Sequence, residues 1–153
     1  MTPEQRFALE RPKQELLDTL GGLVDEIEDL CHRKMPCTDS LNRLNAQLSV
    51  PATIDEICSY YGSQTRDEFL RGHLIPDPYQ HKNLTEEEML WLIAQVIEKL
   101  SDAPLISYYS TILEANTSST SGRVLGLVLF QNIKDPQNVL AELKKSRNRV
   151  IRL

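Results

Sequence analysis

Three segments of this chain, Thr53-Ile-Asp-Glu56, Thr65-Arg-Asp-Glu68 and Thr85-Glu-Glu-Glu88, carry the same punctuation. In each, a threonine stands three residues ahead of a glutamate. The hydroxyl accepts from the glutamate's backbone N–H, and the carboxylate reaches back to the threonine's own N–H. A helix start leaves four N–H groups without an intrahelical partner, and this box satisfies two reciprocally. Two further starts follow other rules. Asp135 precedes Pro136, whose missing N–H costs nothing at the first helical position. Asp102 precedes Pro104 in a similar way. A chain written like this is expected to fold into short, separately capped helices.

The apolar spacing agrees. Met89, Leu92, Ile93, Val96, Ile97 and Leu100 repeat at three and four residues, which places them on one face of a helix over 86–100. Leu105, Ile106, Tyr109, Ile112 and Leu113 give the next helix its stripe, and Val139, Leu140 and Leu143 give the last one. Upstream, Leu16, Leu20, Leu23, Ile27 and Leu30, widened by Leu17 and Val24, predict a long helix from about Pro12 to Arg33. Gly21-Gly22 interrupts it as a point of bending, each glycine costing about 1 kcal/mol against alanine. Leu41, Leu44 and Leu48 mark a short second helix. Gly62 and Gly72 are expected to end helices in a left-handed residue. Val124–Phe130 is short, branched and apolar, and reads equally as one buried strand or a helical turn.

These readings predict an all-α fold, a bundle of about six to seven helices with room for one strand-like segment near 124–130. Pro76 and Pro78 sit in a segment expected to be a linker, 75–84. It divides an N-terminal helical unit, 1–74, from a C-terminal one, 85–153. A chain of 153 residues buries about two thirds of its unfolded surface, so it needs no disulfide or metal to hold a core. Its longest apolar run is seven residues, against about 20 needed to cross a bilayer. The polar start, Met-Thr-Pro-Glu-Gln-Arg, lacks the apolar region of a signal peptide. A cytoplasmic protein that makes no membrane contact is expected.

Charge is unevenly placed. The net is −5, yet residues 1–143 hold 22 acidic and 12 basic side chains. The remaining basic residues are Lys144, Lys145, Arg147, Arg149 and Arg152. An acidic body repels a phosphate backbone, which argues against nucleic acid, and suits a basic protein partner. First-turn acids such as Glu86–Glu88 favour the positive end of a helix dipole and need no further role. Asp25, Glu26, Glu28 and Asp29 lie late in their helix and have no such explanation. They form a solvated face or a binding surface.

Chemistry-bearing motifs are absent. Cys31-His32 followed by Cys37 has too long a spacing for a zinc clip, and Cys58 stands alone. His73, Asp77 and His81 would share a helix face, but Pro76 and Pro78 break that helix. No nucleophile elbow, phosphate loop or His-Glu-x-x-His occurs. Neither enzymatic activity nor a metal or cofactor is expected. Two tyrosine pairs, Tyr60-Tyr61 and Tyr108-Tyr109, should each place one ring inside and one nearer the surface, because helix neighbours point about 100° apart.

Three segments resemble the small helical immunity proteins that protect bacteria from nuclease bacteriocins. They are Asn83-Leu-Thr-Glu-Glu-Glu-Met-Leu-Trp-Leu-Ile-Ala-Gln-Val-Ile-Glu98, Tyr108-Tyr-Ser-Thr-Ile-Leu-Glu-Ala-Asn116 and Asp135-Pro-Gln-Asn-Val-Leu-Ala-Glu-Leu143. They cover under half the chain, and residues 1–82 have no counterpart. That family's acidic Gly-Ser-Asp and Tyr-Tyr-Pro are missing from Ser121-Gly-Arg-Val-Leu-Gly-Leu-Val-Leu-Phe130, so its shared toxin contact does not carry over. The resemblance implies a protein that neutralises a toxin through its second helix, around Glu98, Tyr108 and Glu114. Asp25, Glu28 and Asp29 are the further candidate contacts. The alternatives are a helical adaptor that self-associates, as a homodimer, through the 12–33 stripe, and a hydrolase with a carboxylate site.

Overall fold

The computed structural model describes the backbone of residues 1–151 and the side chains of residues 1–145. It is all-α, with no strand among the described residues. The helices are α1 (Pro3–Phe7), α2 (Gln14–His32), α3 (Thr38–Asn45), α4 (Ile54–Ser59), α5 (Arg66–Leu74), α6 (Glu86–Glu98), α7 (Ala103–Asn116), α8 (Arg123–Leu125) and α9 (Pro136–Ile151). Short 3-10 turns cover Tyr60–Gly62 and Pro78–Gln80, and a π turn covers Gly126–Phe130. None of the helices is long and apolar enough to cross a membrane, among the described residues.

The chain forms two compact units. One is continuous, Leu9–Asp77; the other is split, joining Met1–Ala8 to Pro78–Leu153. The 1–74 unit expected from sequence therefore loses its first eight residues to the other unit. The reason is α1. Thr2 closes a capping box with Gln5, and Pro3 occupies the first turn. The helix buries Phe7 completely, against the rings of His81 at 5.0 Å and Trp91 at 6.2 Å. Arg6 binds Glu88 at 2.7 Å and the Lys82 carbonyl at 3.0 Å. The expected linker is likewise partly built. Its Pro78–Gln80 turn packs on α7, and Asn116 donates to the His81 carbonyl at 3.0 Å.

In the continuous unit, α2 packs against α3, α4 and α5. Its stripe Leu17, Leu20, Val24 and Ile27 meets Leu44, Ile57, Phe69 and Leu70, all buried. Each such side chain contributes about 1.5–3 kcal/mol of burial. Thr53 and Thr65 close the capping boxes of α4 and α5 as the sequence predicts. Helix α2 runs unbroken through Gly21-Gly22. Gly21 serves a close approach instead: a Cβ there would lie 2.5 Å from the Arg66 guanidinium, whereas Gly22 faces open space. Gly72 lies inside α5, and neither it nor Gly62 is left-handed. Lys34, at φ 58°, takes that conformation after α2.

In the split unit, α6 packs against α1, α7 and α9. Leu92, Ile93, Val96, Ile112, Leu113, Val139, Leu140 and Leu143 are buried. Thr85 caps α6 by its box, and Asp102 caps α7 by accepting from the Leu105 N–H at 3.3 Å. Asp135 accepts from the Gln137 N–H at 3.1 Å at the start of α9. The segment 124–130 is helical, not strand-like. After α8 the ladder widens to the bond from the Gln131 N–H to the Gly126 carbonyl, 3.1 Å, five residues back. The segment packs against α8 and α9 and buries Leu127 and Val128 there, while Leu129 and Phe130 at its end are exposed.

Candidate functional site

Among the described residues, each unit has a concave region lined by polar side chains. In the continuous unit a cleft of about 470 Å³ is lined by Glu28, Asp29, Cys31, His32, Cys58 and Tyr61. It brings together two of the acids singled out from sequence. Glu28 and Asp29 come from the last turns of α2, and Cys58 comes from α4. Tyr60 packs its ring on Phe69, with centroids 4.9 Å apart, while Tyr61 remains 69% exposed. Burial, reinforced by the Glu28 carboxylate beside it, pushes the Tyr60 phenol up to about 12. One Glu28 oxygen, Oε1, is withdrawn from water without a hydrogen-bond partner.

The rest of the acidic run is matched locally. Asp25 pairs with Arg66 at 2.7 Å, and Glu26 with Arg43 at 3.1 Å and the Ser40 hydroxyl at 3.2 Å. Asp29 pairs with Arg33, one turn on, at 3.4 Å. Among the described residues, no three His, Cys, Asp or Glu side chains converge as a metal site. Cys31 and Cys37 lie 3.6 Å apart, sulfur to sulfur. The contact with Cys31, then burial, raises the Cys37 thiol above its ordinary value. His73 Nδ1 lies 2.8 Å from the Val50 carbonyl. His81 Nε2 lies 2.9 Å from the Tyr108 hydroxyl, in the other unit.

The second region lies in the split unit, a pocket of about 270 Å³ between α7 and the Ser121–Leu125 turn. Spacing by four residues puts Ile106, Ser110 and Glu114 on one side of α7, with Ser107 and Thr111 beside them. Gly122, at φ 85°, turns the chain into α8. Glu114 Oε2 accepts the buried Val124 N–H of that short helix at 3.0 Å.

This geometry corrects two expectations. Tyr108 and Glu114 are 4% and 8% exposed, so neither is a surface contact; Glu98 is exposed. The tyrosine pair does not divide into an inner and an outer ring, since Tyr109 is also only 2% exposed. Helix α7 is buried over most of its circumference, and both hydroxyls find partners: His81 for Tyr108, and the Phe7 carbonyl, at 3.5 Å, for Tyr109. Sequence reading also missed Ser110 and Tyr61 as site residues. For Ser110 the available signal was its four-residue spacing from Glu114.

The basic stretch near the C-terminus is partly outside the described residues. Lys144 lies 3.8 Å from Glu86, and Lys145 pairs with Glu142 at 3.0 Å. The side chains of Arg147 and Arg149, and all of Arg152, lie outside the described residues. In comparison with known proteins, no family model, no curated protein and no solved structure matches this chain.

Proposed function

We infer that this chain is a non-catalytic binding protein that covers and neutralises a basic protein partner. The observation that carries this reading is the cleft of the continuous unit, where Glu28 and Asp29 share one mouth with the exposed ring of Tyr61. That unit holds 13 acidic and seven basic side chains. A field of that sign steers a cationic surface during encounter, and a rigid aromatic ring holds it afterwards. A bacterial toxin is the partner class that the immunity resemblance suggests. The test is a pull-down from the native cell with mass spectrometry, followed by kinetics with the recovered partner. Tyr61→Ala should raise the off-rate about tenfold or more, as loss of an interface anchor does. The double variant Glu28→Gln with Asp29→Asn should mainly lower the on-rate. A partner insensitive to all three changes refutes the reading.

A second reading, a self-associating adaptor, is favoured by one observation. Phe130 is 87% exposed beside Leu129 at 53%, at the end of the π turn. Large exposed apolar neighbours mark interaction surfaces. A concentration-dependent dimer that Phe130→Ser abolishes would favour this reading over the first.

A further inference from the structure

We propose that the pocket between α7 and the Ser121–Leu125 turn binds a cationic nitrogen head group, an alkylammonium or alkylguanidinium. Glu114 is its counter-ion and Ser110 a hydroxyl ligand. Glu114 is 8% exposed, and among the described residues its carboxylate accepts one hydrogen bond, from the Val124 N–H on Oε2. No cation lies within pairing distance of it among the described side chains. Carboxylates withdrawn from water are ordinarily paired with a cation or fully hydrogen-bonded. A single backbone N–H leaves most of this carboxylate's acceptor capacity unused.

Ser110 supplies the second, independent observation. It is 4% exposed, lines the same pocket, and its Oγ has no hydrogen-bond partner. A hydroxyl buried without a partner costs free energy, and a step between staggered χ1 wells turns it toward a ligand. Ser107, Thr111 and Ser121 add hydroxyls to the wall, while Ile106 and Leu125 provide apolar surface for a short alkyl stem. At about 270 Å³ the space falls just below the usual range for drug-sized ligands, which starts at about 300 Å³. It fits one head group with a few methylenes. The lining of one carboxylate and several hydroxyls, with no cationic group among the described residues, selects against anions. This inference stands apart from the partner-binding reading, which uses the other unit.

The test is amide chemical-shift titration of the full chain with n-butylammonium chloride and butylguanidinium chloride, with butanol and sodium butyrate as the neutral and anionic controls. The expected result is saturable shifts at Ser110, Glu114 and Val124 for either cation and none for the controls. Glu114→Gln keeps an acceptor for Val124, and should weaken cation binding about tenfold or more, the scale of a charge-assisted hydrogen bond. Ser121→Trp, at the exposed rim, should block binding without touching the core, and serves if the glutamine variant does not fold. Blocked Gly-Arg-Gly and Gly-Lys-Gly peptides distinguish the sources. Shifts at the same amides point to a side chain of a protein, and shifts from the free cations alone point to a small amine. Absence of site-specific shifts with either cation, equal shifts with butanol, or undiminished binding in folded Glu114→Gln overturns the proposal.

Discussion

Residues 9–77 hold 13 acidic and seven basic side chains, whereas the split unit holds nine and ten. Charge counts alone would place the unmatched carboxylates in the first. Yet there Asp25, Glu26 and Asp29 each have a basic neighbour within 3.4 Å, in or near water. The nearly balanced unit holds the glutamate that is buried as a whole, Glu114, with no cation paired to it among the described residues, whereas Glu28 of the acidic unit is half-buried and only its Oε1 is withdrawn from water without a partner. Net charge thus describes the field a partner meets at a distance, and says little about where an uncompensated group sits. The two units differ accordingly in what their charges are worth. Exposed pairs contribute about 0–1 kcal/mol, because water screens them and ordering long side chains costs entropy. Buried polar groups are worth more, since losing one partner strands the other.

The largest expected effect tests that contrast in the split unit. Glu114→Ala strands the Val124 N–H and leaves a hole, and should destabilise by about 2–4 kcal/mol in denaturant unfolding. A loss below about 0.5 kcal/mol would erase the distinction between the units. Next comes Arg6→Gln. Its partner Glu88 is pushed up by burial, but the Thr85 N–H and the Arg6 hydrogen bond and charge outweigh this and hold the carboxyl below 4.5. A depressed carboxyl stabilises the fold above its unfolded value and loses that contribution as pH falls through the folded one. Arg6→Gln should therefore cost about 1–3 kcal/mol at neutral pH. The cost should shrink as the medium is acidified below 4.5; a cost independent of pH would remove the ion pair from the explanation.

The paired glycines of α2 give a smaller effect with a sign to check. Gly22→Ala meets nothing and should stabilise by about 0.5–1 kcal/mol through helix propensity. Gly21→Ala must displace the Arg66 guanidinium from its seat and should forfeit that gain. Equal gains at both positions would show that Arg66 is not held there. The last effect is confined to alkaline pH and concerns Tyr60. Its phenol is raised by burial and by Glu28 to about 12, so its contribution is complete below pH 10 and is lost between 10 and about 12. Tyr60→Phe should remove that alkaline loss, followed by unfolding midpoints across the same window.

The sequence made the helix starts legible to the atom, because a capping box is local. Thr53, Thr65 and Thr85 each bond as the spacing requires. It left α1 unread, although Thr2 and Gln5 form the same box with glutamine in the glutamate's place. Periodicity also identified the face of α7 but not how many neighbours cover it. The resemblance offered Tyr108 and Glu114, which lie off that stripe, as surface contacts, while the packing of α6, α8 and the Pro78–Gln80 turn encloses α7 on several sides. The cleft was half legible. Glu28 and Asp29 stood out as acids that no helix start explains, but Tyr61 and Cys58 reach them only through the tertiary packing of α4 against α2.

The most direct measurement of the partner-binding account is the salt dependence of the association rate between the intact chain and its recovered partner. Opposite charges steer encounter over a screening length of about 10 Å at 0.1 M salt and about 3 Å at 1 M. The account predicts a rate that falls steeply over that range, with a shallower fall in the Glu28→Gln, Asp29→Asn variant and an off-rate that barely responds to salt. An association rate indifferent to salt, or a slope unchanged by that variant, would contradict it.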